Sequence, residues 1–183
     1  MRIRLDAGSV SLYDLLRHAP RQANGSLVTV NGTVVGSELI GQTFKEAWYF
    51  HSRPSAAGAD GYDASASVGT NKGPTDLKLA DTLIAGAVEK AVLEDGAVKG
   101  KIPADMVTAS ASGLDPHISP ANAELQVARV ARVRGTSEAA VRELLLRHIE
   151  GRQFGFFGEP RVNVLMLNIA LDSAYPRPPA PQR

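Results

Sequence analysis

The spacing of hydrophobic positions changes several times along the chain, and each change marks an element. Residues 1–23 carry a short amphipathic pattern around Leu12, Leu15 and Leu16. Two runs rich in β-branched residues follow, 27–30 and 33–35, separated by Asn31-Gly32. Asn-Gly between such runs predicts a β-hairpin, because both turn positions need positive φ. From 36 to 74 aliphatic residues are sparse and Gly, Ser, Ala and Asn abundant, which makes the stretch either functional or a linker. The run Trp48, Tyr49, Phe50, His51 speaks against a linker, since so many aromatic faces are rarely left in water.

Helical spacing begins after Pro74-Thr75-Asp76, with Leu77, Ala80, Leu83, Ile84, Ala87, Val88 and Ala91 at intervals of three and four and Gly96 as a stop. A short strand is predicted at 106–109. Ser119-Pro120 supplies an N-cap and a first-turn proline for a helix that ends at Gly135. A third helix starts near Ser137 and buries Val141, Leu144, Leu145, His148 and Ile149, with Gly151 past its end. Residues 161–171 are apolar on both faces, which predicts a central strand in a covered sheet. The tail from Tyr175 is proline-rich and predicted to be disordered. The fold class is therefore α+β: a hairpin near the N-terminus and about three helices packed on a small sheet.

Composition narrows the function classes. A chain of 183 residues with 44% hydrophobic and 21% charged residues can build a core. A net charge of +1 and 5% aromatics give no nucleic-acid footprint. The absence of cysteine removes disulfides, thiolate catalysis and cysteine zinc sites. The most apolar stretches, 83–88 and 162–171, are too short to span a bilayer, and Asn163 and Asn168 interrupt the second. Residues 1–20 are broken by Arg2, Arg4, Asp6, Asp14, Arg17 and His18, a pattern of neither a signal peptide nor a membrane helix.

The densest chemistry lies in 107–122, with Ser110, Ser112, Asp115, His117 and Ser119. A serine hydrolase would draw its nucleophile, base and acid from separate elements, usually with a G-x-S-x-G elbow, and neither condition holds. The plain reading is a polar loop in which Asp115-Pro116 shapes a turn and Ser119 caps a helix. The histidines His18, His51, His117 and His148 show no metal-ligand spacing; His148 reads as a core residue and His117 alone stays a functional candidate. The glycine turn Gly69 to Gly73 lacks the Gly-Lys-Ser/Thr ending of a phosphate loop. Arg152, Glu159 and Arg161, with Glu150, flank a glycine-rich turn and could form a buried ion-pair network, an anion site or a partner site.

Read together, the blocks 22–26 (QANGS), 40–44 (IGQTF), 49–56 (YFHSRPSA), 68–74 (VGTNKGP), 108–135 and 150–171 resemble the C subunit of the bacterial Kdp potassium-transporting ATPase, over roughly residues 21–172. The resemblance implies an accessory, non-catalytic subunit that assembles and stabilises a membrane pump. Its implied partners are a channel-like potassium-binding subunit and a separate P-type catalytic subunit, with no cofactor or metal of its own. It implies a soluble extracytoplasmic domain, here 21–174, at the plasma membrane. Family members carry a hydrophobic membrane helix before the QANGS block, where this chain has the polar residues 1–20. Partner contacts are expected at Trp48, Tyr49, Phe50, His51, Arg53, Asp115, His117 and Ser119. A nucleotide-binding role has also been suggested for the family and would fall on Ser110, Ser112, Gly113 and Gln126. That role, or a small hydrolase built on the 110–117 loop, is the rival reading.

Overall fold

The structure is a computed structural model that describes residues 19–73 and 75–177. The expected pattern at Leu12, Leu15 and Leu16, the helix-opening Pro74 and residues 178–183 of the tail lie outside the described residues. The chain divides into two compact units, one ending at Leu39 and the other beginning at Ile40.

In the first unit a single helical turn, α1 (Pro20–Ala23), leads into β1 (Leu27–Val30) and β2 (Thr33–Ser37). The strands pair antiparallel with Val30 opposite Thr33. Asn31 and Gly32 take φ of +50° and +79° at the turn, as the Asn-Gly pair requires. Arg21 forms an ion pair with Glu38.

The second unit holds the core. A π-helical turn, Leu79–Ile84, continues as α2 (Ala85–Asp95) and stops at Gly96 in the left-handed conformation. Here the expected apolar face forms only in its second half, where Ile84, Ala87 and Val88 are half-buried and Ala91 is buried. The wide turn breaks the spacing of three and four within it, so the pattern holds only on its C-terminal side. Of α2 only Ala91 is buried, and Leu77, Leu83 and Leu93 remain exposed. The predicted strand at 106–109 does not form: a helical turn, α3 (Ala104–Val107), entered through Pro103, takes its first half, and Thr108 beyond it is extended but unpaired in any sheet.

After β3 (His117–Ile118), α4 (Pro120–Arg134) starts at Ser119, whose side chain accepts from Asn122 N, and ends at left-handed Gly135. Helix α5 (Glu138–Arg147) is capped by Ser137 and buries Val141, Leu144 and Leu145. It ends earlier than its apolar pattern suggests. His148 is its C-cap, Ile149 already belongs to β4 (Ile149–Glu150), and Gly151 lies beyond that strand.

The largest departure is at the end. Only β5 (Arg161–Asn163) is extended; Val164–Ala174 is a helix, α6. Asn163 caps it by accepting from Met166 N. Its buried residues Val164, Leu165, Leu167, Asn168 and Leu171 follow helical spacing. An apolar run of this length is ambiguous between a strand and a buried helix, and the asparagine cap decides it. The part that is a strand does lie centrally: the sheet order is β3-β5-β4, all antiparallel, with Val162 opposite both Ile118 and Ile149. The mixed α+β class holds, with six α-helical segments among the described residues.

The core joins Phe50 and Ile118 to Val127 and Val130 of α4, Val141 and Leu145 of α5, and Val162, Leu167 and Leu171. The chain remains held beyond α6, since Tyr175 packs on this core and Arg177 bonds Asp172 at 2.9 Å. Leu167→Ala is expected to lower unfolding free energy by about 3 kcal/mol, as buried leucines do. Leu146→Ala, on the exposed side of α5, is expected to change it by less than about 0.5 kcal/mol. Denaturant titration of both variants checks the placement.

Candidate functional site

Residues 46–49 make a turn, with Tyr49 N donating to Glu46 O (3.0 Å), and 50–53 continue outside helix and sheet. Their backbone groups are buried enough to need partners, and side chains supply them. Gln126 accepts from His51 N (2.7 Å) and donates to His51 O (3.2 Å). Asn168 does the same for the preceding residue, accepting from Phe50 N (2.9 Å) and donating to Phe50 O (3.0 Å). Two carboxamides thus replace the neighbouring strand that this segment lacks.

Arginines complete the clamp. Arg129 donates from Nε to Asp95 (2.7 Å), from Nη1 to Ala47 O and Tyr49 O (2.6 and 2.8 Å), and from Nη2 to Gln126 Oε1 (2.7 Å). The Arg129–Asp95 pair is only 3% exposed on either side. A pair buried so deeply is tolerable only with its remaining donors engaged, and the two carbonyls and the amide do that. Arg134 donates to Trp48 O (2.8 Å), Tyr175 O (2.6 Å) and Asp172 (2.8 Å). Tyr49 donates to Asp172 (2.8 Å), with Arg134 and Arg177 over its ring.

The expected aromatic surface is therefore divided. Phe50 is fully buried and belongs to the core, so its side chain presents nothing to a partner. Tyr49 and His51 are half-buried in the clamp, and Trp48 is half-exposed with a buried indole N–H that has no partner among the described residues.

Arg53 carries the clamp to the polar loop, donating to Thr108 O (3.4 Å), Ala109 O (3.3 Å) and Asp115 (3.2 Å). Half-burial opposes ionisation of Asp115, but the hydrogen bonds from His117 and the Arg53 charge outweigh it and hold its carboxyl below the usual range. His117 Nδ1 lies 3.5 Å from Asp115, and its Nε2 lies 4.0 Å from Glu150, which pairs with Arg161 at 2.9 Å. Arg53, Asp115, His117, Glu150 and Arg161 form one half-exposed charged strip. The network expected around Arg152 is not buried: Arg152 pairs with Glu159 (2.8 Å) at the surface, and Arg161 pairs with Glu150 rather than Glu159.

The residues named for nucleotide or hydrolytic chemistry are engaged within the fold. Gln126 uses both amide atoms on His51, Asn122 and Arg129. Ser112 accepts from Leu114 N, and Ser119, expected as a partner contact, is likewise taken up: it donates to Asp105 (2.9 Å) and accepts from Asn122 N. Ser110 is buried. Gly113 has φ of +69°, and a Cβ there would lie 2.6 Å from Val68 O, so close backbone approach accounts for the glycine. A cavity of about 670 Å³ lies between residues 43–62 and α2, with His51, Lys90, Glu94 and Gln126 in its wall. Among the described residues no three His, Asp or Glu side chains converge as a metal site, and no helix is long and apolar enough to cross a membrane.

This scaffold matches a known family along nearly all its length: residues 15–173 fit the family described as K+-transporting ATPase, c chain. The chain belongs to the KdpC family. A potassium-transporting ATPase KdpC subunit from Gemmatimonas aurantiaca is 64% identical over 84% of this chain and 76% of the relative. Those from Koribacter versatilis and Nitratidesulfovibrio vulgaris are each 58% identical, covering 86% and 84% of this chain and 79% and 78% of the relatives.

The sequence reading overlooked Asn122, Arg129, Arg134, Asn168, Asp95 and Asp172. One signal was available. Asn122, Gln126 and Arg129 recur at helical spacing on α4, and Asn168 is the one polar residue within 164–171; both patterns mark buried amides as readily as a solvated face.

Burial, with the charges of Arg129 and Lys90, lowers His51 to about 4 from its usual 6.5. At neutral pH it is uncharged, so its 3.6 Å approach to Glu94 is not an ion pair. The unfolded chain takes up a proton near pH 6.5 that the fold refuses until about pH 4, so stability falls as pH drops through that window. The loss amounts to about 3 kcal/mol at roughly 1.4 kcal/mol per unit. His51→Gln is expected to flatten this slope in denaturant titrations between pH 7 and 4.5. Gln126→Leu, which strips His51 of both backbone partners, is expected to destabilise the fold by about 3 kcal/mol at neutral pH.

Proposed function

We propose that this chain is the accessory, non-catalytic subunit of a potassium-transporting ATPase and acts by binding the other subunits. The observation that carries the reading is the family match across residues 15–173. The geometry supports it. The groups a hydrolase or nucleotide site would use instead fasten the chain to itself, as Gln126 shows. What the clamp leaves at the surface is a rigid set of loops, and loops on a rigid scaffold are suited to recognition.

In this reading the partners are the channel-like potassium-binding subunit and the P-type catalytic subunit, and the soluble domain works on the extracytoplasmic side of the membrane. The subunit steadies the assembled pump and supports high-affinity potassium uptake. Trp48 and the charged strip through Asp115 and His117 form its contact surface, with Arg53 bracing the strip from behind.

Co-expression with the other pump subunits, followed by purification in detergent through a tag on the catalytic subunit, tests this. The chain is expected in stoichiometric amount. Trp48→Ala and Asp115→Asn are expected to reduce its recovery several-fold while the circular dichroism of the isolated chain stays unchanged. Full recovery of both variants removes this surface from the assignment; no recovery of the unaltered chain overturns the subunit reading.

A further inference from the structure

Three of the chain's five phenylalanines stand on one turn between β4 and β5, where Gln153 and Phe157 close an antiparallel bridge. Phe154, Phe156 and Phe157 are 87%, 64% and 58% exposed, and the last two rings lie 4.3 Å apart. Phe154 also has φ of +53°, a conformation that any residue with a Cβ resists. The isolated chain thus tolerates both exposed aromatic surface and backbone strain here. At the base of the turn Arg152 pairs with Glu159 and Arg161 with Glu150, so the rim is neutral around an apolar tip.

The possible occupants differ in what they require. Attraction to an anionic bilayer needs uncompensated cations beside the aromatics, whereas Arg152 and Arg161 are both paired. A symmetric contact of two tips would bury only a few hundred Å² per copy, short of the roughly 800 Å² per partner of a stable interface. An apolar anchor ringed by paired polar groups has the anatomy of a protein–protein hot spot inside a larger contact. We propose that the 154–157 turn is an aromatic plug that seats in an uncharged, apolar cleft of another subunit of the potassium-transporting ATPase. The proposal rests on the subunit reading above and adds to it the element that anchors the contact.

The test uses the full chain co-expressed with the other pump subunits, comparing the unaltered chain with Phe154→Gly and with Phe156→Ser/Phe157→Ser. Phe154→Gly removes an exposed ring and relieves the strain, so the melting temperature of the isolated chain should stay within about 2 °C or rise. Its recovery in the complex, and that of the double variant, should fall at least about tenfold. Flotation of the isolated chains with phosphatidylcholine vesicles, with and without phosphatidylglycerol, should show no tip-dependent binding. Recovery of both variants at the level of the unaltered chain overturns the plug while leaving the subunit reading intact. Vesicle binding lost in the variants, with the complex unaffected, assigns the tip to lipid and overturns the plug. Failure of the unaltered chain itself to co-purify overturns both readings.

Discussion

The second unit depends on how residues 47–53 satisfy their backbone. A buried segment outside helix and sheet must find other partners for its backbone, and this one, a turn followed by irregular chain, finds them on helices. Gln126 and Asn168 stand in for a neighbouring strand, each presenting an acceptor and a donor to one residue. Arg129 and Arg134 take up the carbonyls that remain on Ala47, Trp48 and Tyr49. Unpaired buried backbone groups are expensive, so this arrangement ties the segment, α4 and α6 into one cooperative body. Phe50 can then fill the core from a loop, because the groups on either side of its ring are already bonded.

The same clamp orders the chemistry around it. Arg129 places a positive charge beside His51, and with burial this keeps the imidazole neutral in the wall of the cavity. Arg53 extends the clamp to Asp115, and Asp115 in turn holds the turn at His117. The loop that looked richest in reactive groups is thereby built into the scaffold. Ser119 caps α4, Ser112 accepts from Leu114 N, and Asp115 is an ionised anchor for Arg53. Reactive residue types in one loop make an active site only when some of them keep free valences, and Gln126, Ser119 and Asp115 spend theirs on the chain itself.

Against that fixed interior the apolar surface is informative. Leu77 and Leu83 are exposed before and within the π-helical turn, and Leu93 lies off the face that Ile84, Ala87, Val88 and Ala91 turn inward. The phenylalanine turn is exposed for another reason: paired charges and two positive-φ glycines, Gly155 and Gly158, hold it away from the core. A member of a pump-subunit family has use for such surface, since an accessory chain works through contacts with its neighbours.

Much of this was legible in the chain itself. The Asn31-Gly32 hairpin, the Ser119 cap and Gly135 stop of α4, and the Ser137 cap of α5 are local features, decided by a few adjacent residues whose preferred dihedrals leave little choice. The family blocks were legible for the same reason, as strings. Tertiary structure decided whatever depends on which partner arrives. Residues 164–174 are equally apolar as strand or helix, and only the Asn163 cap and packing on α5 and the sheet select the helix. The polar stripe Asn122, Gln126, Arg129 reads as a wet face until residues 47–53 cover it. The aromatic run is split one by one, Phe50 into the core and Trp48 toward the surface, because burial is a property of what lies across from a residue, which no window of sequence contains.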